Sequence, residues 1–385
     1  MCPPRQFNPL LDEVFLGNGN GTFRAWRQKP CLREEGKGLG VLIADLDGNS
    51  LLNVYVANDT VPNFFYRAQL GGTFIETGMF SGTALSDVGT PDGSMGVSFG
   101  DFDLDGRPDL WVANYERELF ALYRNLGGGL FQHISQATGI GALGANYVGF
   151  GTAFGGWDLD GDEDLVVSNG HVQVIPSNAP VRQRPLLLAN QAGQRQVNAT
   201  AGAGVYFDNS HVGCGIASGD ICRDGDLDLI STPTNEPAAV LVNASPRQGR
   251  WVQVAMVATQ SPRDAIGAQA ILETSMGSRV RQVTSGGSYL SQSARTLHWG
   301  IPAGAIADWL VIRWPSGPSN ALLSARSRPN GLRSDHERHE TAISQLVGVL
   351  GNLPMAAERM RSPARNFLYW SKRAGPLVRP GISKR

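Results

Sequence analysis

The chain repeats one acidic turn four times. Its fullest copy, FGDFDLDGRPDL from Phe99 to Leu110, sets Asp101, Asp103, Asp105 and Asp109 around Gly106. Near a protein surface two like charges in contact repel by roughly 4 kcal/mol. Such a turn is either splayed into solvent or folded around something positive. The copies begin at Ala44 (ADLDGNSLLNVYVAN), Gly100 (GDFDLDGRPDLWVAN), Gly155 (GGWDLDGDEDLVVSN) and Gly219 (GDICRDGDLDLISTP), at offsets of 56, 55 and 64 residues. A second element recurs between them: VFLGNGNGTFRAW from Val14, FFYRAQLGGTFIET from Phe64, ALYRNLGGGLFQHI from Ala121 and LLLANQAGQRQVNA from Leu186. One unit is therefore an acidic turn, a strand, a variable stretch and a Gly-turned hairpin. DLWVANY and DLVVSNG, short β-branched or aromatic runs bounded by turn residues, read as strands. A unit of this size cannot bury both faces alone, so units stack around an axis as propeller blades. The 48 glycines and 17% charged residues suit an all-β chain with many tight turns.

With Asp101 as position 1, side-chain oxygens fall at positions 1, 3, 5 and 9, glycine falls at 6, and the Arg107 carbonyl is available at 7. An all-oxygen shell of this kind suits a hard cation such as Ca²⁺. The pattern is not an EF-hand. Position 12 is Val112 here, and Val56, Val167 and Ser231 in the other copies, where that motif needs Glu. The first turn keeps Asp45 and Asp47, but Asn49 and Asn53 replace two carboxylates and Ser50 replaces the glycine. The third opens on Gly156 and keeps Asp158, Asp160 and Asp164; the fourth has Cys222 at position 3 and keeps Asp220, Asp224 and Asp228. The alternative for each is a solvated Asp/Gly turn without an ion.

FGDFDLDGRPDL, with Phe99-Gly100 and Phe154-Gly155 ahead of two of the turns, resembles the FG-GAP/VCBS repeat of integrin α-subunit propellers. That resemblance covers about residues 10–245 and implies Ca²⁺ in the turns and a β-propeller, usually of seven blades. Four turns and a leading half-unit at Val14–Trp26 are visible, so four to five blades are expected, and the chain starts inside a blade as a fragment would. Further blades or a second chain would complete such a ring.

After Asn243 the repeats stop. RWVQVAMVATQ, SPRDAIGAQAILET, RVRQVTSGGSYLSQSARTLHWGI and ADWLVIRWPSG make a compact β unit. Its motif residues resemble the ASPIC/UnbV domain that accompanies such repeats in the cartilage acidic protein-like family: Arg263 to Ala268, Ser285 to Gln292 and Arg313 to Gly317. The fold expected is all-β: integrin-α-like blades over 1–245, a small β-sandwich-like domain over 246–317, and a basic, disordered tail over 318–385. That tail holds 12 Lys/Arg against 4 Asp/Glu, leaving 21 basic and 30 acidic residues elsewhere. A helix-like patch is expected near Glu340–Leu350, and the last strand of the domain lacks a visible partner.

Ser285, Ser288, Tyr289 and Ser291, with Arg263, Asp264 and His298, hold the ingredients of a catalytic triad, but a triad is defined by geometry. The reading taken is a Gly-Gly turn whose hydroxyls cap backbone groups, with Tyr289 and Trp314 in the core; no catalytic residue is assigned. His171 reads as a turn residue. The glycines of GFGTAFGG and GCGIASG lack the strand–helix frame of a dinucleotide site and read as blade turns. Cys2, Cys31, Cys214 and Cys222 have no zinc spacing; Cys214 and Cys222 either pair or stay free.

The formal net charge of −1 argues neither for nor against nucleic acid, and no nucleic-acid partner is expected. No apolar run is long enough to span a membrane, and MCPPRQFNPLLDEVF lacks the layout of a signal peptide. The family resemblance implies a secreted or otherwise extracytoplasmic, calcium-stabilised, non-catalytic binding or adhesion protein with a protein or glycan ligand. The alternative is an accessory enzyme, a hydrolase, lyase or natural-product tailoring activity at the propeller mouth or the ASPIC/UnbV surface.

Overall fold

Each acidic turn joins the first two strands of an antiparallel meander. The computed structural model describes residues 6–26, 35–172 and 179–317, and the backbone of strands Ser319–Leu323 and Leu346–Gly351. The first meander runs Gly38–Ala44, Asn53–Asn58, Phe64–Gln69 and Thr73–Glu76. The second runs Val97–Gly100, Asp109–Val112, Ala121–Gly127 and Leu130–His133. The third runs Gly149–Gly155, Asp164–Asn169, Leu186–Asn190 and Gln196–Asn198. The fourth has three strands, Gly215–Gly219, Asp228–Thr232 and Ala239–Leu241. Ahead of them the hairpin Phe15–Gly17 with Phe23–Ala25 forms the leading half-unit.

The blades stack because their second strands are apolar on both faces. In Asp109–Val112, Leu110 and Val112 pack with Leu42, Tyr55 and Phe65 of the first blade. Trp111 points the other way, into a cluster with Leu165, Val167 and Leu188 of the third. Val166 of the third then meets Phe207, Ile216 and Leu229 of the fourth. Period-two alternation thus builds a core between blades rather than within them.

The glycine runs expected in turns lie on the inner strands instead. A Cβ on Gly96 would sit 1.7 Å from the Phe150 carbonyl oxygen, and one on Gly151 2.4 Å from the Ile216 nitrogen. Inner strands converge on the axis, and only glycine leaves room for backbone to touch backbone.

The C-terminal unit is a two-sheet sandwich. One sheet orders Leu297–Pro302, Gly249–Val257 and Leu346–Gly351; the other orders Gly277–Gln282, Gln269–Thr274, Ala307–Arg313 and Ser319–Leu323. Val252, Val254, Leu272, Trp299, Ile312 and Trp314 fill the space between them. Two sequence expectations change here. Ala307–Arg313 is paired on both sides, because Ser319–Leu323 continues its sheet. The Glu340–Leu350 patch ends in a strand, Leu346–Gly351, paired with Gly249–Val257. The rest of the expected tail, with Cys2 and Cys31, lies outside the described residues.

Between the sandwich strands, Ser285 to Ala294 runs as a strap along the propeller axis. Ser285 and Gly286 pair with Ile43 and Leu42 of the first blade. Ser288 exchanges backbone hydrogen bonds with Val97 of the second blade. Its Oγ accepts from the Thr152 nitrogen at 3.0 Å and donates to the Ile216 carbonyl at 2.7 Å, so it ties the third blade to the fourth. Tyr289 packs edge-on against Phe150, 4.9 Å between ring centres. The Ala294 nitrogen donates to the Ser218 carbonyl. One segment of the C-terminal unit therefore touches the inner strand of each of the four described meanders.

Candidate metal centre

The acidic turns share one backbone shape. Position 4 is left-handed in all four: Gly48, Leu104, Leu159 and Arg223, with φ of +74°, +62°, +64° and +59°. Position 6 is left-handed as well: Ser50 (+68°), Gly106 (+85°), Gly161 (+102°) and Gly225 (+94°). Four non-glycine residues therefore sit where side chains are strained. Side-chain hydrogen bonds hold that shape. Position 1 accepts from the nitrogen of position 6, as Asp45 from Ser50, Asp101 from Gly106 and Asp220 from Gly225, at 2.9–3.1 Å. Position 9 accepts from the nitrogen of position 2, as Asn53 from Leu46, Asp109 from Phe102 and Asp228 from Ile221, at 2.8–2.9 Å.

In the second turn the carboxylates converge. Asp101, Asp103 and Asp109 each place an oxygen within 4.8 Å of the others, the one such grouping of three among the described residues. Three oxygens at about 2.4 Å from one Ca²⁺ can be at most about 4.8 Å apart, so the span fits. Asp101 is 4% exposed and Asp109 fully buried. Burial pushes the Asp101 carboxyl up to about 6 and that of Asp109 up to about 8. Asp101 Oδ1 is buried with no hydrogen-bond partner. The donor set is all oxygen, as a hard cation requires. Asp105 is not in the group: its carboxylate turns to the Arg107 side chain, which also donates to the Asn125 carbonyl. Arg124 pairs with Asp103 at 2.8 Å.

The other turns satisfy their carboxylates differently. Asp45 accepts from Gly48, Asn49 and Ser50 nitrogens and from Gln269. Asp47 pairs with Arg67 at 2.8 Å and accepts from Asn49. In the third turn Asp158 accepts from the Asp160 nitrogen and Gln248, and Asp164 from the Asn190 nitrogen. In the fourth, Asp220 accepts from Asp224 and Gly225 nitrogens and Gln253, while Arg247 grips Asp226 through Nε and Nη2. That turn carries a guanidinium of its own, and Cys222 beside it is exposed and unpaired, as half-buried Cys214 is unpaired.

Several residues escaped the sequence reading. Asp162 and Glu163 are buried in the third turn; Asp162 ties it to the hairpin of its own blade, and Glu163 reaches the second blade and the sandwich. Asp162 accepts from the Ala192 nitrogen; Glu163 accepts from the Asp101 nitrogen at 2.7 Å and pairs with Arg281 of the sandwich. Asn125, Asn190 and Asn243 form a repeated clip. Each backbone nitrogen donates to position 9 of its own turn: Asp109, Asp164 and Asp228. Each side chain donates to the position-2 carbonyl of the preceding turn: Leu46, Phe102 and Trp157.

All four turns face the sandwich. Gln269 and Gln282 meet Asp45, Arg281 stands beside Glu163 and Asp101, Arg279 donates to the Gly161 carbonyl, and His298 donates to the Gly225 carbonyl at 2.8 Å. The triad inventory separates: Ser288 is bound to Ile216 and Thr152, His298 to Gly225, and Asp264 pairs with Arg295. His171 is buried with its ring 3.2 Å from the Tyr115 hydroxyl.

The FG-GAP-like repeat profile matches residues 45–112 and 101–167, and the ASPIC and UnbV profile matches 258–327. The fourth turn lies outside both matches, yet shares the hydrogen bonds of the first and second turns. Cartilage acidic protein 1 of Xenopus tropicalis is 25% identical over 291 residues, 73% of this chain and 42% of that protein. The Mus musculus protein of that name is 25% identical over 295 residues, again 73% and 42%. The chain thus spans about two-fifths of the length of these curated relatives. Among solved structures, an Agrocybe aegerita lectin, described as recognising non-reducing terminal N-acetylglucosamine, aligns over 60% of each chain at 18% identity and a TM-score of 0.35.

Proposed function

Because the chain carries FG-GAP-like repeats and an ASPIC and UnbV domain, we propose that it is an extracytoplasmic, non-catalytic binding protein stabilised by Ca²⁺ in its second acidic turn. The observation that carries the cation is Asp101 Oδ1, buried and unpartnered beside two more carboxylates. A bound cation would neutralise Asp101, Asp103 and Asp109. It would do so at the seam between blades and sandwich, since the Asp101 nitrogen donates to Glu163 and Glu163 pairs with Arg281. Similarity to cartilage acidic protein 1 supports the extracytoplasmic setting, where millimolar Ca²⁺ fills even weak oxygen sites. The partner class proposed is a protein or glycan.

The test is thermal unfolding in EDTA and in millimolar Ca²⁺, with Asp101→Ala beside the unaltered chain. Ca²⁺ raises the midpoint of the unaltered chain, because a ligand that binds only the native state stabilises it. The rise is lost in the variant. A cooperative melt with no response to Ca²⁺ would sink the proposal.

A further inference from the structure

One strand of the sandwich, Gly277–Gln282, meets three of the acidic turns. Arg279 donates to the Gly161 carbonyl of the third turn, and Gln282 accepts from the Asp45 nitrogen of the first. Arg281, between them, reaches the second turn through Glu163. Its guanidinium pairs with the Glu163 carboxylate, and Glu163 Oε2 accepts from the Asp101 nitrogen at 2.7 Å. Glu163 is 4% exposed, as Asp101 is, and 18% of the Arg281 side chain is exposed. Charges so poorly solvated are little screened. Burial raises the Asp101 carboxyl, and the charge of Arg281 opposes that rise.

The charges gathered here do not cancel. With Asp101, Asp103 and Asp109 ionised around a cation, Glu163 makes a fourth negative charge. Against these four stand two guanidiniums, Arg281 on Glu163 and Arg124 on Asp103. Asp105 and Arg107 pair with each other and add nothing. Burial pushes the His298 imidazole, which also feels Arg281, down to about 4, so it is uncharged at neutral pH. Two negative charges remain, matching one divalent cation. Neither Glu163 nor Arg281 is among the three converging groups, so each acts on the cation through its charge and through Asp101.

We propose that this pair sets the affinity of the second turn for Ca²⁺, with Glu163 strengthening the site and Arg281 holding it down. The docked sandwich thereby tunes a site that the blades build. This tuning rests on the cation reading of the second turn. Ca²⁺ affinity follows the charge gathered around the ion, and groups behind the ligands shift metal affinity strongly.

Calorimetric titration of the full chain with Ca²⁺ tests this, the second turn being the component lost in Asp101→Ala. Glu163→Gln keeps an oxygen for the Asp101 nitrogen but removes the charge, and weakens that component roughly tenfold. Arg281→Met leaves Glu163 unopposed and tightens it by roughly threefold or more. The same variant melts lower in EDTA, because a buried charge has lost its partner. A chain that is less stable yet binds Ca²⁺ more tightly is not the outcome of a purely structural contact. Arg281→Lys keeps the charge and stays within about twofold of the parent; with Glu163→Gln it keeps the test decisive if the Met variant does not fold. Weakening in both Glu163→Gln and Arg281→Met would reduce the pair to a clamp and overturn the proposal. Unchanged affinity in a folded Glu163→Gln would overturn it as well, with the cation reading left standing. A parent chain with no component lost in Asp101→Ala would overturn the cation reading itself, and this proposal with it.

Discussion

The carboxylates of these turns hold the backbone through hydrogen bonds, and they differ in how many oxygens that uses. Asp109 is a scaffold: both oxygens accept backbone N–H groups, from Phe102 and Asn125. Asp101 commits Oδ2 to the Gly106 nitrogen and has a buried Oδ1 with no hydrogen-bond partner, the atom that the Ca²⁺ proposal rests on. Away from the turns, Asp92 carries a charge that folding disfavours. It is 8% exposed, and burial, with Glu118 and Asp87 nearby, pushes its carboxyl up to about 7. A raised carboxyl stabilises the fold fully below its unfolded value near 4, and that contribution is lost as pH rises through about 7. Asp92→Asn removes the titration and keeps an oxygen for the Asn114 amide that donates at 3.0 Å. The variant is expected to melt higher than the parent at pH 8, with the gap closing toward pH 5. Melting curves across that range in Ca²⁺ check it; equal midpoints at pH 8 would show that Asp92 ionises without strain.

At the scale of elements, the blade is held by its turn and by its neighbour's asparagine. Asn190 Nδ2 donates to Phe102 of the previous turn and to Glu163 of its own. Asn190→Ala orphans these buried carbonyls and is expected to cost about 1–3 kcal/mol. Urea unfolding measures it, and a loss below about 0.5 kcal/mol, the size of a surface substitution, would mean that the clip is incidental. The strands and turns were legible because each acidic turn keeps a fixed short spacing to the strand that follows it, and the pair recurs four times. The clip was not, because Asn125, Asn190 and Asn243 lie 16, 26 and 15 residues after their aspartates. The excursion between second and third strands changes length from blade to blade, so no fixed spacing marks it. The glycines were visible but misplaced: a turn and a crowded axis both select glycine, and composition alone does not separate them. Ser50 shows the converse. It stands where the other turns have glycine, yet it adopts the same left-handed backbone. Glu163 and Arg281 were hidden because nothing local connects a blade turn to a strand of another domain.

At the scale of the molecule, the C-terminal unit is built into the propeller. The strap binds all four inner strands, and all four acidic turns meet the sandwich. Blades and sandwich are therefore expected to unfold in one calorimetric transition. Ser288→Val, which leaves the Thr152 nitrogen and the Ile216 carbonyl without their shared hydroxyl, is expected to lower that single transition by about 2–4 kcal/mol. Two resolved transitions in the unaltered chain would show that the strap does not couple the units. The strap has a further consequence, for the order of synthesis. Its partners Leu42 and Ile43 emerge from the ribosome long before Ser285 and Gly286. Until then the nascent first blade has an open inner edge, the kind of strand that recruits other chains. Closing so long a loop is slow, so that edge cannot be covered strand by strand as the chain is made. A chain arrested before Ser285 would present four unsealed blades, and its yield in a cell would depend on how long chaperones keep those edges apart.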